Sequence, residues 1–442
     1  MMNIFNRRPT GVTTQTNATT GATELLGPGG VIPVGMGPNV LTVGASGARF
    51  STLDDALEYR ATVEHTVIAS GLTGNATVGA GADVRNIALT GTPLAAFVGY
   101  KGIVGIRIGA VGQPVLRGYI YNSATLRMLA PLPATLTDVE ITVYTINHVG
   151  IAILPGERIE LAHSTTRYIP GHTTIFCPVK GAASMYHVGT TAGSAFISST
   201  ADNVIFKDLV LGDTNNTNGS IPFQFELPTQ AEMTFLGCEL LAQAQDFIYG
   251  SGSVMGQLNL IGNKIIAAFD VVNPMIFRNL NVRDNEFYMY GVEFVDGGAP
   301  TPIVLGSNSL APTLTYPQIE AHFTGNIVHS DVMGIAASSK AVGVEIRQAL
   351  PNQALVNVRA NTFKIRSSGV GASSYGVLVN SAVTGSNTPT ILVRDNIFDV
   401  TSAVGTANTM HSAEATYVIN RQGNYTIAGT LGSNTAAIAA EV

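Results

Sequence analysis

The stretches that decide the fold are MTFLGCEL (233–240), LNLIGNKI (258–265), LNVRDNEF (280–287), AHFTGNIV (321–328), VNVRANTF (356–363), ILVRDNIF (391–398) and NRQGNYTI (420–427). Each runs apolar–x–apolar–x into a polar turn. One slot of that turn is Cys238 in the first copy, then Asn263, Asn285, Asn326, Asn361, Asn396 and Asn424. The slots are spaced 25, 22, 41, 35, 35 and 28 residues apart, and VIFKDLVL (204–211) reads as a degenerate earlier copy. A copy supplies one or two short strands and a turn, too little apolar surface to bury alone. Stacked in parallel, successive copies pair their backbones and build a continuous apolar interior. A repeated Asn suits such a stack: its amide can bond the coils above and below, and Asn tolerates the left-handed conformation of a tight corner. Cys238 in that slot fits as a small buried thiol. Because the spacing varies while the coil motif does not, long loops are expected at 213–222, 291–319 and 366–388.

Upstream, residues 1–38 are mostly Thr, Gly, Asn, Ala and Pro after Pro9, with a single charge, Glu24, between Pro9 and Pro38. They show neither helical nor strand periodicity and are not expected to fold alone. Such segments are commonly disordered termini. Low charge favours the alternative, an extended arm that orders against a partner, because free disordered tails usually carry more charge. Arg7, Arg8, Leu25 and Leu26 are the arm's candidate anchoring residues.

At residues 39–61 the sequence NVLTVGASGARFSTLDDALEY reads as a short strand, a turn and a helix, with Ser51 as N-cap and Asp54 three residues on. Residues 62–147 read as a β-meander (VGIRIGA, PVLRGYIYN, ATLRMLAPL, DVEITVYTI), a small domain inserted at a loop. The strands VGIAILPGERIEL (149–161) and YIPGHTTIF (168–176) return to the coil, which is expected to run over 148–430 with a tail at 431–442. The fold class is therefore all-β: a parallel β-helix with an N-terminal cap helix, an inserted small β-domain and an extended N-terminal arm.

Composition bounds the function. The chain has 442 residues, 12% charged and 45% hydrophobic, with a mean hydropathy of +0.27. An ordinary soluble domain is about one-quarter charged. No apolar run approaches the roughly 18 residues of a membrane span, and disorder is excluded by the high apolar content. A neutral surface invites association, so an oligomer or an assembly component is expected. Net charge is -6, which argues against a nucleic-acid partner. The opening MMNIFNRRPTGV lacks the apolar segment of a secretory signal. Cys177 and Cys238 cannot make a disulfide framework, and neither has metal-ligand spacing, so no metal or cofactor is expected.

The opening strand and helix, ILPGERIEL, IPGHTTI and the Asn-turn coils resemble the right-handed β-helix superfamily of pectate lyases and phage tailspikes. The likeness covers 39–61 and 148–430 and implies architecture more than chemistry, since that coil serves lyases, hydrolases and inert spikes. Enzymes of the superfamily use clustered carboxylates, and glycosidase pairs need carboxyls about 5–5.5 or 6.5–9.5 Å apart. The candidates are Asp284 and Asp395 in matching Arg-Asp-Asn turns, Glu286, Glu293 and Asp296 near a long loop, and His322 and His329 flanking one coil. Between Asp284 and Asp395 the equivalent residues are Gly325 and Ala360, so no carboxylate stack forms. The ordinary role of Asp284 and Asp395 is as corner residues held by local hydrogen bonds and by Arg283 or Arg394. Glu293 and Asp296 are ordinarily solvated, and the histidines satisfied or exposed. The polygalacturonase and pectate-lyase signatures that the resemblance would bring are missing; Lys364-Ile365-Arg366 has the wrong order, and Trp is absent. Tyr288 and Tyr290 alternate onto one face and offer an aromatic platform. Two readings remain: a non-enzymatic virion protein on the phage surface, trimeric and anchored by its arm to capsid or tail proteins, or a tailspike that binds or cleaves polysaccharide. The short tail tilts the first toward capsid decoration. A cellular lyase fits poorly.

Overall fold

The computed structural model describes residues 13–16, 23–27, 30–31, 40–432 and 438, apart from 46, 80–83, 101, 163–166, 189–196, 200–201, 214–222, 226–230, 243–246, 251–254, 269, 276, 293–300, 307–318, 334–339, 348–349, 351–353, 369–371, 381–387 and 414–415. Arg7 and Arg8 lie outside the described residues. Near the N-terminus, Thr13–Thr16, Thr23–Gly27 and Gly30–Val31 form an antiparallel sheet in which Leu25 pairs with Thr14 and Leu26 with Thr13 and Val31. The section expected to be an extended arm without strand periodicity thus contains a small antiparallel sheet.

From Val149 the chain winds as a parallel β-helix of three sheets. The first sheet has 11 strands, from Val40–Val43 to Ile419–Gln422; the second and third have 10 each. All neighbours in these sheets are parallel, and each coil contributes one strand per sheet. Strand twist gives such crossovers a right-handed sense. At about 4.8 Å per coil, ten coils make a rod about 48 Å long. The interior is one hydrophobic cluster running from Leu41 to Ile438. Within it, aromatic rings stack between coils: Phe206 on Phe235 at 5.1 Å, Phe323 on Phe363 at 5.9 Å and Phe363 on Phe398 at 5.1 Å between centroids.

Each copy carries two strands about its turn, such as Glu232–Leu236 and Glu239–Ala242 in the first, and the third strand of each coil lies in the sequence between copies. Ile303–Leu305 and Ser373–Val379, inside the stretches read as loops at 291–319 and 366–388, are strands of the third sheet. Most of the remaining loop residues, and those at 214–222, lie outside the described residues. At the far end the coil outruns its expected limit, because Thr430–Leu431 is a strand and Ile438 bridges Ile419 in parallel.

The helix spans Leu53–Thr62 and buries Leu53, Ala56, Leu57 and Arg60 on one face. Its N-cap is Thr52 rather than Ser51: the Thr52 hydroxyl oxygen accepts from the Asp55 amide at 3.1 Å and its O–H donates to Asp55 Oδ2 at 2.6 Å. The capping box is shifted by one residue because this registers Leu53 and Leu57 on the first coil. Arg60 is 3% exposed and seals that end of the rod, donating to Gly171 O (2.7 Å), Val63 O (2.9 Å) and Thr173 Oγ1 (3.1 Å).

The segment after the helix is a closed antiparallel barrel of six strands between Thr66 and Thr145. It has its own apolar core, including Ile87, Val104, Ile106, Leu126 and Ile141. It is not a simple meander: the strand Thr66–Ala76 pairs with both Leu136–Thr145 and Asn86–Leu89, and the latter pairs with Thr125–Met128. Thr66–Ala76, rich in Gly, Ser and Thr, lacks the clean alternation that marks a strand in sequence.

Candidate functional site

The corner between the first and second sheets repeats most regularly. Asn263, Asn285, Asn326, Asn361 and Asn396 are each 0–2% exposed. The side-chain amide of each donates to the Oδ1 of the next asparagine at 2.9–3.0 Å. It also donates to a backbone carbonyl at 2.8–3.0 Å; for Asn326 that carbonyl is Val282 O. The backbone N–H of each residue from Cys238 to Asn396 donates to the same Oδ1 on the next coil at 2.8–3.0 Å. Every donor and acceptor of an interior amide is thereby used, as a buried amide requires. At the start of the ladder, burial pushes the Cys238 thiol up to about 12, so it is protonated and inert.

The left-handed residue is not the asparagine but the one before it. Asp208, Asp284, Ala360 and Asp395 have φ between 55° and 57°, and Gly237, Gly262, Gly325 and Gly423 between 61° and 68°. Aspartate and glycine are coupled along this column. A Cβ on Gly325 would lie 2.6 Å from Asp284 Oδ1, and one on Gly423 2.6 Å from Asp395 Oδ1. An aspartate at one corner leaves room only for glycine on the next coil.

That geometry fixes the candidate acids. Asp284 is exposed beside Arg283 at 3.4 Å, and Asp395 pairs at 3.2 Å with Arg359 of the preceding coil rather than with Arg394. Three coil steps separate the two carboxylates, about 14 Å at the inter-strand spacing, beyond the reach of any glycosidase pair. Glu286 faces outward on the second sheet and accepts the Tyr288 hydroxyl. Tyr288 stacks on His329 at 5.3 Å and 12°. Tyr290 is on the same face, whereas His322 is on the first sheet, bonded to Glu320 at 3.1 Å. Glu293 and Asp296 lie outside the described residues. Asp284 and Asp395 are thus not brought together, and Glu286 is engaged by Tyr288.

Two charged clusters went unmarked in the sequence. Against the third sheet, Arg347 bonds Glu345 at 2.8 Å and Asp270 at 3.2 Å, while Asn380 donates to Glu345 at 2.7 Å and the Thr301 amide to Asp270 at 2.8 Å. Burial alone would lower the Arg347 pKa, but the two carboxylates raise it. Where the barrel meets the coil, Arg117 grips Asp202 through Nε (3.1 Å) and Nη2 (3.2 Å) and also bonds Glu232. The only hint of either was an acidic residue in an otherwise uncharged stretch. Among the described residues, no group of three or more His, Cys, Asp or Glu is placed to hold a metal ion. Nor is any helix long and apolar enough to cross a membrane.

The fold defines the chain's class, the right-handed parallel β-helix. No family model and no curated protein matches it. Solved structures similar to it include pectin methylesterase PemA from Erwinia chrysanthemi, at 10% identity and a TM-score of 0.34 over 66% of this chain and 86% of that one. The tailspike protein gp49 from Pseudomonas phage LKA1 is similar at 13% identity and a TM-score of 0.34, over 80% of this chain and 67% of that one. The mannuronan C-5 epimerase AlgE6 A-module of Azotobacter vinelandii follows at 12% and 0.24, over 64% and 91%. These proteins differ in what they do, and the likeness does not extend to any activity.

Proposed function

We propose that the chain is a non-enzymatic structural protein of a bacteriophage virion, made in the host cytoplasm and carried on the particle surface as a β-helical homotrimer. Its N-terminal section, residues 1–38, anchors it to capsid or tail proteins, and its role is that of a capsid decoration (cement) protein. The observation behind this reading is the use made of the buried charge. Asp202 and Glu232 are held by Arg117, and Asp270 and Glu345 by Arg347, so these carboxylates join the barrel to the coil and brace the third sheet instead of facing a substrate. The neutral composition supports surfaces that pack against other proteins.

The test is attachment. Full-length protein and a variant lacking residues 1–38 are added to particles stripped of it. The full chain is expected to rebind and the truncated one to stay free; equal rebinding overturns the anchoring role. The second reading, a tailspike that binds or depolymerises host polysaccharide, draws on the Tyr288–His329 stack beside Glu286. Shortening of capsule or lipopolysaccharide chains by the purified protein, abolished by Asp284→Asn or Glu293→Gln, would replace the first reading with the second.

A further inference from the structure

Three histidines meet where the barrel joins the coil, and their bonding fixes their protonation. His65 Nδ1 accepts from the Asn147 amide at 3.1 Å. The Asn203 side-chain amide donates to both His148 Nδ1 and His172 Nδ1, each at 3.5 Å. The other ring nitrogen of His172 donates to Val115 O, on the barrel, at 2.8 Å, and that of His148 bonds Thr174 Oγ1 at 2.8 Å. A ring nitrogen that accepts an N–H must be unprotonated, so the docked arrangement requires all three imidazoles to be neutral.

The surrounding charges point the same way. Arg60 of the cap helix faces His65 and His148, and Arg117 of the barrel faces His148 and His172. His65 and His172 lie ring to ring at 5.1 Å, and the Tyr144 ring, under Arg107, meets His65 edge to face at 6.2 Å. The carboxylates within reach, Asp202 and Glu232, are bonded to Arg117. Burial, then Arg60, lowers His65 to about 4. Burial lowers His172 to about 3, opposed by its bond to Val115 and reinforced by His65, Arg117 and His148.

We propose that this junction is an acid-sensitive latch: the barrel is locked on the coil while the three histidines are neutral, and mild acid releases it without unfolding the rod. The sign follows from linkage. Histidine pKa values depressed in the docked state mean that the released state binds more protons, so docking is fully favoured above about pH 6.5 and weakens as pH falls toward the depressed values. At pH 5 each released histidine carries a factor of about 30, and His65 and His172 together shift the equilibrium about a thousandfold toward release. Asp202, raised by burial against the pull of Arg117, titrates in the opposite sense. Between pH 7.5 and 5 carboxylates with ordinary pKa values stay ionised, and the comparison with His65→Gln/His172→Gln, which leaves Asp202 in place, separates the histidines from Asp202.

The test is amide hydrogen exchange of the full chain across that range, corrected for intrinsic rates. Protection of the Arg117 amide, bonded to Asp202 at 3.1 Å, should fall about a thousandfold, while the ladder amides of Asn285 and Asn326 hold theirs. In His65→Gln/His172→Gln most of that pH dependence should vanish. Equal pH dependence in the variant, or no loss of protection in the wild type, overturns the latch. Should the variant not fold, imidazole titration of the wild type by NMR decides: His65 and His172 with pKa values near 6.5 in the native protein also overturn it.

Discussion

Replacing Asn326 by alanine should weaken the rod at one coil more than any surface change can. Its side chain makes four hydrogen bonds: Oδ1 accepts from the Asn285 backbone and side-chain amides, both at 3.0 Å, and Nδ2 donates to Val282 O at 2.9 Å and Asn361 Oδ1 at 3.0 Å. Each net bond contributes about 1 kcal/mol, and a buried donor left without an acceptor costs about 1–3 kcal/mol. Alanine removes all four and orphans two donors on Asn285 in a site 1% exposed. The expected loss is about 5 kcal/mol. Asn424 occupies the same slot on the last complete coil but is only partly buried, so water can replace its bonds and Asn424→Ala should cost about 1–2 kcal/mol. Solenoids open locally and rarely unfold as one unit. The assay is therefore native-state hydrogen exchange with residue resolution, read at the Asn285 amide for the first variant and the Asn396 amide for the second. If the two substitutions cost the same, or Asn326→Ala costs under 1 kcal/mol, the ladder is an ornament of the coil and the reasoning fails.

Other substitutions test other contacts. A Cβ on Gly376 would sit 2.5 Å from both Phe398 Cε1 and Thr409 O, so Gly376→Ala should destabilise by about 1–3 kcal/mol in denaturant titration. Gly325→Ala should be destabilising, and Asp284→Gly should relieve part of that loss, because the clash is with the Asp284 carboxylate; strictly additive effects would contradict the coupling. Asp395→Asn removes an exposed ion pair with Arg359 and should change stability by less than about 1 kcal/mol. Asp202→Asn strips the charge from one partner of Arg117 but leaves Arg117 bonded to Glu232, so it should cost less than the roughly 3–5 kcal/mol of a buried charge left uncompensated, read as lost protection at the barrel–coil junction.

The Asn column was legible because one residue type recurs at the end of an alternating strand. What that asparagine does was only half legible: the sequence pattern cannot say which corner residue takes positive φ, and Asp, Gly and Ala share that position. The third sheet hid because its strands, such as Ile303–Leu305, end in no recurring polar residue and follow loops of changing length. Asp284 and Asp395 as corner residues were readable from the Gly and Ala between them. The junction was not, since it joins residues far apart in sequence: Arg117 and Asp202 are 85 positions apart, and Val115 and His172 57.

The asparagine ladder has a direction. The backbone N–H and one side-chain N–H of each asparagine find their acceptor on the following coil, so a coil emerging from synthesis carries unsatisfied donors until its successor is laid down. Growth of the rod is then a templated, one-way polymerisation within a single chain, in which every added turn completes the one before it. A stall in elongation would leave a sticky end, and identical sticky ends on neighbouring nascent chains would be the place where misassembly begins.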